Sequence, residues 1–370
     1  MTESRSAVLR DLTGPYSIET VTIADPGPGE ALVRVAATGM CHTDQLGRLG
    51  VFGEAFLPAI LGHEGAGVVE AVGPGVTSVA PGDHVVLTFD SCGTCPACLT
   101  GAPANCALFE LNNLTGNRPD GSGCATDASG APVTSRWFGQ SSFGQFTLAT
   151  ERNMVKVGKD VPLAVLGPLG CGIQTGAGAV LNTAKLAPGQ SIAVFGTGAV
   201  GLAAVMAAKA SGAGEIVAVD LNPARRETAL ELGATRAVDG ADPALADEIR
   251  AGGPGMDVTF DTTGVASVMA TAVEVLARPG ACILVGAGMD VLTVHPASLA
   301  GKTVTYVYEG DAVPRVFIPR LIGLWKRGLF PFDRLIKEYP LEEIDQAEAD
   351  TNAGKVIKPV LVMPSAPAGS

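Results

Sequence analysis

The chain has 370 residues, 47% hydrophobic and 17% charged, with 48 glycines, 25 prolines and a formal net charge of −12. This length predicts two domains, the composition excludes a disordered chain, and the acidic balance argues against nucleic acid or an anionic membrane as partner. No basic N-terminal stretch leads into an apolar run and no segment stays apolar for about 20 residues, so no secretory signal or membrane span is expected and the expected location is cytoplasmic. In chain order, the first half reads as short strands between turns. Glu30–Ala37, Gly67–Val72 and Asp83–Leu87 are Val/Ala-rich and bounded by Gly or Pro, which predicts an irregular antiparallel β domain. Residues 107–135 are polar and Gly-rich and read as an extended excursion, not a separate domain. From about residue 167 the pattern changes. Ile173–Asn182 is helix-compatible. Strands are then predicted at Ser191–Phe195, Glu215–Val219, Val258–Asp261 and Ala281–Val285, and helices at Ala199–Ser211, Pro223–Leu232 and Val265–Leu276. Alternating strands and helices imply a parallel sheet covered on both faces. Beyond about residue 315, a helix near Pro319–Arg327 and a strand at Val356–Val362 are expected to return to the first domain. The last residues, PSAPAGS, read as disordered.

Cysteine placement carries the strongest chemical signal. Cys92, Cys95, Cys98 and Cys106 form C-x2-C-x2-C-x7-C. That spacing gathers four thiolates in one loop, as a structural zinc requires. Cys41, His63 and Cys171 are scattered, and three ligands imply a zinc with an open fourth position, a catalytic arrangement. A disulfide framework is disfavoured, because such frameworks belong to small secreted chains. Cys282, within an apolar strand, reads as core, and Cys124 as a surface or loop thiol. His84 and His295 are taken as structural.

The strand SIAVF runs into Gly196-Thr197-Gly198-Ala199-Val200-Gly201, which opens a helix. The glycines allow a tight turn and a close approach of backbone to a pyrophosphate at the helix N-terminus. Asp220, about 20 residues on, ends the next predicted strand, where a carboxylate binds ribose hydroxyls and repels a 2′-phosphate. Leu221 and Asn222 follow it, so NAD is favoured over NADP.

These motifs, with Gly62-His63-Glu64 and Gly67, Gly73 and Val76 at signature spacing, resemble the zinc-dependent alcohol dehydrogenases of the medium-chain dehydrogenase/reductase superfamily over nearly the whole chain. Within them the chain is similar to the aryl-alcohol (benzyl alcohol) subgroup. The resemblance implies a GroES-like irregular β catalytic domain, residues 1–166 and 318–370, with a structural zinc lobe near 91–107. It implies a Rossmann doubly wound parallel-sheet domain over residues 167–317 that binds NAD. It also implies two zincs per chain and reversible oxidation of a primary alcohol to its aldehyde by hydride transfer. Cys41, His63 and Cys171 then hold the catalytic zinc, Asp44 orients His63, and Glu64 lies behind the metal. Thr43 takes the alcohol proton. His42 contacts the pyrophosphate, Arg225 the adenosine ribose and Lys358 a phosphate. Thr175 and Val200 pack against the nicotinamide ring, and Val285 belongs to the cofactor site with Gly196, Gly198, Gly201 and Asp220.

By the same resemblance Phe52, Trp137, Phe138 and Tyr308 line the substrate pocket, with Phe89 near. These aromatics favour a flat apolar alcohol, first benzyl-type and then allylic such as geraniol. Leu46 stands where many members carry the histidine that ends the proton relay at solvent, so the relay ends here at the ribose, at His42 or at water. General aliphatic alcohols are an alternative. A glutathione-dependent formaldehyde dehydrogenase is another, disfavoured because that subgroup carries Asp at the place of Phe52 and Arg at that of Glu110. A non-catalytic NAD-binding protein is disfavoured by the full set of zinc ligands. The resemblance further implies a homodimer, with a tetramer as the second choice, joined through an edge strand near Thr303–Val307.

Overall fold

A computed structural model describes residues 1–50, 56–288 and 290–364. Phe52 and residues 365–370, which hold nearly all of the predicted disordered tail, lie outside the described residues. The chain divides into two units: Met1–Cys171 with Val313–Pro319 and Leu335–Ser370, and Gly172–Ala312 with Arg320–Arg334.

In the first unit the organising strand is Glu30–Gly39. It pairs antiparallel with Glu64–Val72, Phe146–Thr150 and the C-terminal strand Lys358–Val362. His84–Leu87, Met154–Val157 and Ile336–Pro340 complete a seven-stranded sheet. Its Val/Ala-rich sequence suits a strand with neighbours on both sides, and Ala31, Val33, Val35 and Ala37 are all buried. Strands Glu30–Gly39 and Glu64–Val72 reach further than their hydrophobic pattern predicted, and the extensions carry the chain to Cys41 and back from His63. A second, five-stranded sheet has the order Ala59–Ile60, Thr2–Leu9, Ser17–Ile23, Ala125–Thr126, Pro132–Val133.

The 107–135 excursion supplies those last two strands and the short helix Phe109–Asn113. It also corrects the surface half of the reading of Cys124, which lies in a loop but is buried. Ala125 pairs with Ile23, which draws Cys124 into the core at 2% exposure, and burial pushes its thiol pKa up. Polar flanking residues hid this, because the pairing partner lies about 100 positions away.

The second unit is built on six parallel strands in the order Arg236–Asp239, Glu215–Asp220, Ser191–Phe195, Met256–Asp261, Leu276–Leu284, Lys302–Tyr306. The Ala-rich helix Ala199–Ser211 has a high intrinsic preference for its state and buries Gly201 through Ala208. Helices Pro223–Leu232 and Ala266–Glu274 follow their strands as the pattern predicted. Cys282 is fully buried, as expected. The edge strand Arg236–Asp239 and the helix Leu245–Arg250 escaped prediction. The strand is four residues long with no buried position, so it shows no hydrophobic run. No single helix among the described residues is long and apolar enough to cross a membrane.

Candidate active site

Strand Glu30–Gly39 delivers Cys41 to the N-cap of helix His42–Arg48. The Cys41 backbone is extended there (φ −125°, ψ 154°), and its N–H donates to Asp44 Oδ2 at 3.0 Å. His63 stands immediately before strand Glu64–Val72. Cys171 follows the turn Gly167–Gly170, which runs so close to Glu64 that a Cβ on Gly167 would lie 2.3 Å from the Glu64 carbonyl oxygen. The three segments bring the sulfurs of Cys41 and Cys171 and a ring nitrogen of His63 within 4.8 Å of one another.

Charge at this cluster is tightly arranged. His63 Nδ1 lies 2.7 Å from Asp44 Oδ1, while its Nε2 is buried with no hydrogen-bond partner. The Cys41 thiol is held well below its ordinary pKa, first by contact with Cys171, against the cost of burial, with His63 and Lys358 helping. Burial pushes the Glu64 carboxyl up to about 7, against the pull of Lys358. Burial also opposes the charge on Lys358, but the Glu64 carboxylate outweighs it and raises its pKa. Two thiols and an imidazole whose free nitrogen lacks a partner fit a zinc ion with one coordination position left open.

The four lobe cysteines also converge within 4.8 Å. Cys92 Sγ accepts from the N–H groups of Thr94 (3.5 Å) and Cys95 (3.3 Å), and Cys106 Sγ from those of Cys92 (3.2 Å) and Leu108 (3.4 Å). The Thr94 and Cys95 N–H groups hold the Cys92 thiol down at about 6, while burial pushes Cys98 up to about 12. Backbone N–H groups aimed at sulfur stabilise thiolates, so this cluster fits a four-coordinate zinc. All eight cysteines are free of disulfides.

In the second unit, Gly196 has φ +85° and its Cβ would meet Thr262 Oγ1 at 2.4 Å, while a Cβ on Gly201 would lie 1.8 Å from the Gly196 carbonyl oxygen. Gly198, the N-cap of the following helix, has open space before it. That combination of a tight turn, close helix packing and an open face fits a pyrophosphate. Asp220 Oδ2 accepts from Thr197 N–H (2.7 Å) and Thr197 Oγ1 (2.8 Å), and Oδ1 from Asn222 N–H (2.8 Å). Thr175, Val200 and Val285 are half-buried in this unit, and Arg225 Nε is buried without a partner. His42 is exposed in the first unit, and Thr43 Oγ1 lies 3.7 Å from Cys41 Sγ.

Several expected site residues have close partners within the protein. Lys358, expected near a phosphate, is buried, and its Nζ donates to Glu64 Oε1 (3.0 Å), Glu64 Oε2 (2.9 Å) and the Met40 carbonyl (3.0 Å). An ammonium so enclosed is committed to its carboxylate. Trp137, expected in the substrate pocket, has no exposed surface, and its indole N–H donates to Asp44 Oδ1. Phe138 is buried and stacks on His63 with ring centroids 4.6 Å apart. Phe89 packs against Phe109 in the core, and Tyr308, in the second unit, is 52% exposed. Sequence reasoning missed Gln140. It is buried, donates to the His63 carbonyl (2.9 Å) and accepts from Gly65 N–H (3.0 Å). A lone glutamine carries no signal that could have revealed this.

Residues 27–159 match the family described as "Alcohol dehydrogenase GroES-like domain", and residues 199–318 the family described as "Zinc-binding dehydrogenase". The chain is 47% identical to a geraniol dehydrogenase of Castellaniella defragrans, over 97% of each chain. A solved benzyl alcohol dehydrogenase from Acinetobacter calcoaceticus superposes with a TM-score of 0.93 at 39% identity, covering 98% of this chain and 100% of that one. An alcohol dehydrogenase zinc-binding domain protein from Burkholderia ambifaria gives a TM-score of 0.94 at 47% identity, covering 98% and 99%.

Proposed function

The chain belongs to the zinc-dependent alcohol dehydrogenases of the medium-chain dehydrogenase/reductase superfamily, and we propose that it oxidises a primary allylic or aromatic alcohol to its aldehyde with NAD⁺. The convergence of Cys41, Cys171 and a His63 whose Nε2 has no partner carries this reading. Zinc and NAD⁺, when bound, supply Lewis acidity toward an alcohol oxygen and a hydride acceptor. The protein's own residues do the rest. Cys41, His63 and Cys171 hold the metal, and Asp44 fixes the His63 ring. Thr43 Oγ1 accepts the hydroxyl proton and passes it to the ribose, to His42 or to water, with half-buried Leu46 in place of a terminal histidine. The turn Gly196–Gly201 receives the pyrophosphate, and Asp220 the adenosine ribose. In this reading the enzyme is cytoplasmic and pairs as a homodimer along the edge strand Lys302–Tyr306.

The substrate class rests on similarity to geraniol and benzyl alcohol dehydrogenases and on physical size. An aromatic ring buries about 100 Å² more apolar surface than a methyl group, worth about 2.5 kcal/mol at roughly 25 cal/mol per Å². Benzyl alcohol and geraniol should then exceed ethanol by about a hundredfold in kcat/KM with NAD⁺. Comparable values for ethanol, or a preference for S-hydroxymethylglutathione, would refute the substrate assignment.

A further inference from the structure

Asp44 Oδ1 is the meeting point of three donors: His63 Nδ1 at 2.7 Å, Trp137 Nε1 at 3.0 Å and Gly62 N–H at 3.1 Å. Its Oδ2 accepts from Cys41 N–H. One buried carboxylate therefore joins two metal-ligand segments to a third segment of chain, residues 137–141. That segment grips His63 in three further ways. Phe138 stacks on the imidazole at 4.6 Å with 27° between planes, and Trp137 meets it edge-on at 6.5 Å. Gln140 bonds to the His63 carbonyl and the Gly65 N–H. Ser141 Oγ accepts from Trp137 N–H (2.8 Å) and donates to the Ile60 carbonyl (2.6 Å). Phe138 has φ +51°, a left-handed conformation that costs about 1 kcal/mol or more for a bulky residue. The turn it makes lets two successive aromatic side chains reach the same imidazole.

We infer that Trp137 is a positioning residue for the metal: its indole N–H, through Asp44, sets the orientation of His63, and its ring does not contact substrate. A carboxylate anchored by one fewer donor can swing about its bond, and the imidazole it orients follows. Removing a partner behind a metal ligand in this way lowers metal affinity about 10- to 100-fold. Trp137→Phe preserves most of the ring volume and deletes the donor. This inference rests on the reading of Cys41, His63 and Cys171 as a zinc site.

The test measures zinc release to a chelator from the holoenzyme, with the lobe zinc as internal reference. Trp137→Phe should release one zinc at about tenfold lower chelator concentration and shift the visible spectrum of the cobalt-substituted site, with the lobe zinc unaffected. If Trp137 acts through Asp44, the Trp137→Phe/Asp44→Asn double variant should lose no more affinity than Asp44→Asn alone. Unchanged release and spectrum, additive losses, or a raised KM for benzyl alcohol with unchanged metal binding overturns the inference. Cys41→Ala separates this failure from that of the underlying reading: retention of two zincs there would sink the site itself. Should Trp137→Phe not fold, the Trp325→Phe protein leaves Trp137 as the chain's one tryptophan. Its indole N–H resonance must then move when the catalytic zinc is removed, and a stationary resonance rejects the coupling.

Discussion

Lys358 Nζ sits 2.9 and 3.0 Å from the two carboxylate oxygens of Glu64, with both side chains buried and 294 positions between them. This pair fastens the C-terminal strand Lys358–Val362 behind the segment that carries His63. Lys358→Met leaves a buried carboxylate without its cation, a change that costs about 3–5 kcal/mol. Thermal unfolding should show a matching fall in Tm. Lys358→Met/Glu64→Met should recover most of it, since replacing both partners removes the uncompensated charge. A double variant no more stable than the single one would contradict the pairing.

The two cysteine sets should fail differently. The parent protein should hold two zincs per chain, and Cys41→Ala or Cys95→Ala one each. Cys95→Ala should lower the unfolding temperature, because binding energy at a closed structural site is folding energy. Cys41→Ala should retain NADH binding while losing alcohol oxidation. Full activity in Cys41→Ala, or an unchanged unfolding temperature in Cys95→Ala, contradicts the respective assignment.

Asp220 is held in place by Thr197 and Asn222. Discrimination against a 2′-phosphate by that fixed charge predicts a strong preference for NAD⁺ over NADP⁺. Asp220→Gly should narrow the ratio of kcat/KM values. Equal values for the two cofactors in the parent protein would show that Asp220 does not face the ribose.

A pH effect is expected away from the metal. Glu151 accepts from the backbone N–H groups of Thr77 and Ser78, which hold its pKa at about 2, below the ordinary 4.5. A depressed carboxylate contributes stability above its unfolded pKa and loses it as pH falls toward the folded value. The stability difference between the parent and Glu151→Gln should therefore be full above about pH 5 and shrink between roughly pH 4.5 and 2. Urea midpoints at neutral pH and at pH 3 check this; a gap that widens on acidification is the contrary result.

What the sequence determined by itself was whatever depends on neighbours in the chain. The C-x2-C-x2-C lobe, the strand–GTGAVG–helix unit and the helices Ala199–Ser211 and Pro223–Leu232 are local patterns, and the structure reproduces them because spacing and periodicity act over a few residues. The strand Arg236–Asp239 was illegible because an edge strand with no buried position carries no such pattern. Tertiary structure alone decided the rest. Cys124 became core through a strand pairing about 100 positions distant, Lys358 became the counter-ion of Glu64, and Trp137 gave its N–H to Asp44. In each case the residue type was visible, but its partner was chosen by long-range packing, where a buried polar group must find a hydrogen bond or lose the free energy of its hydration.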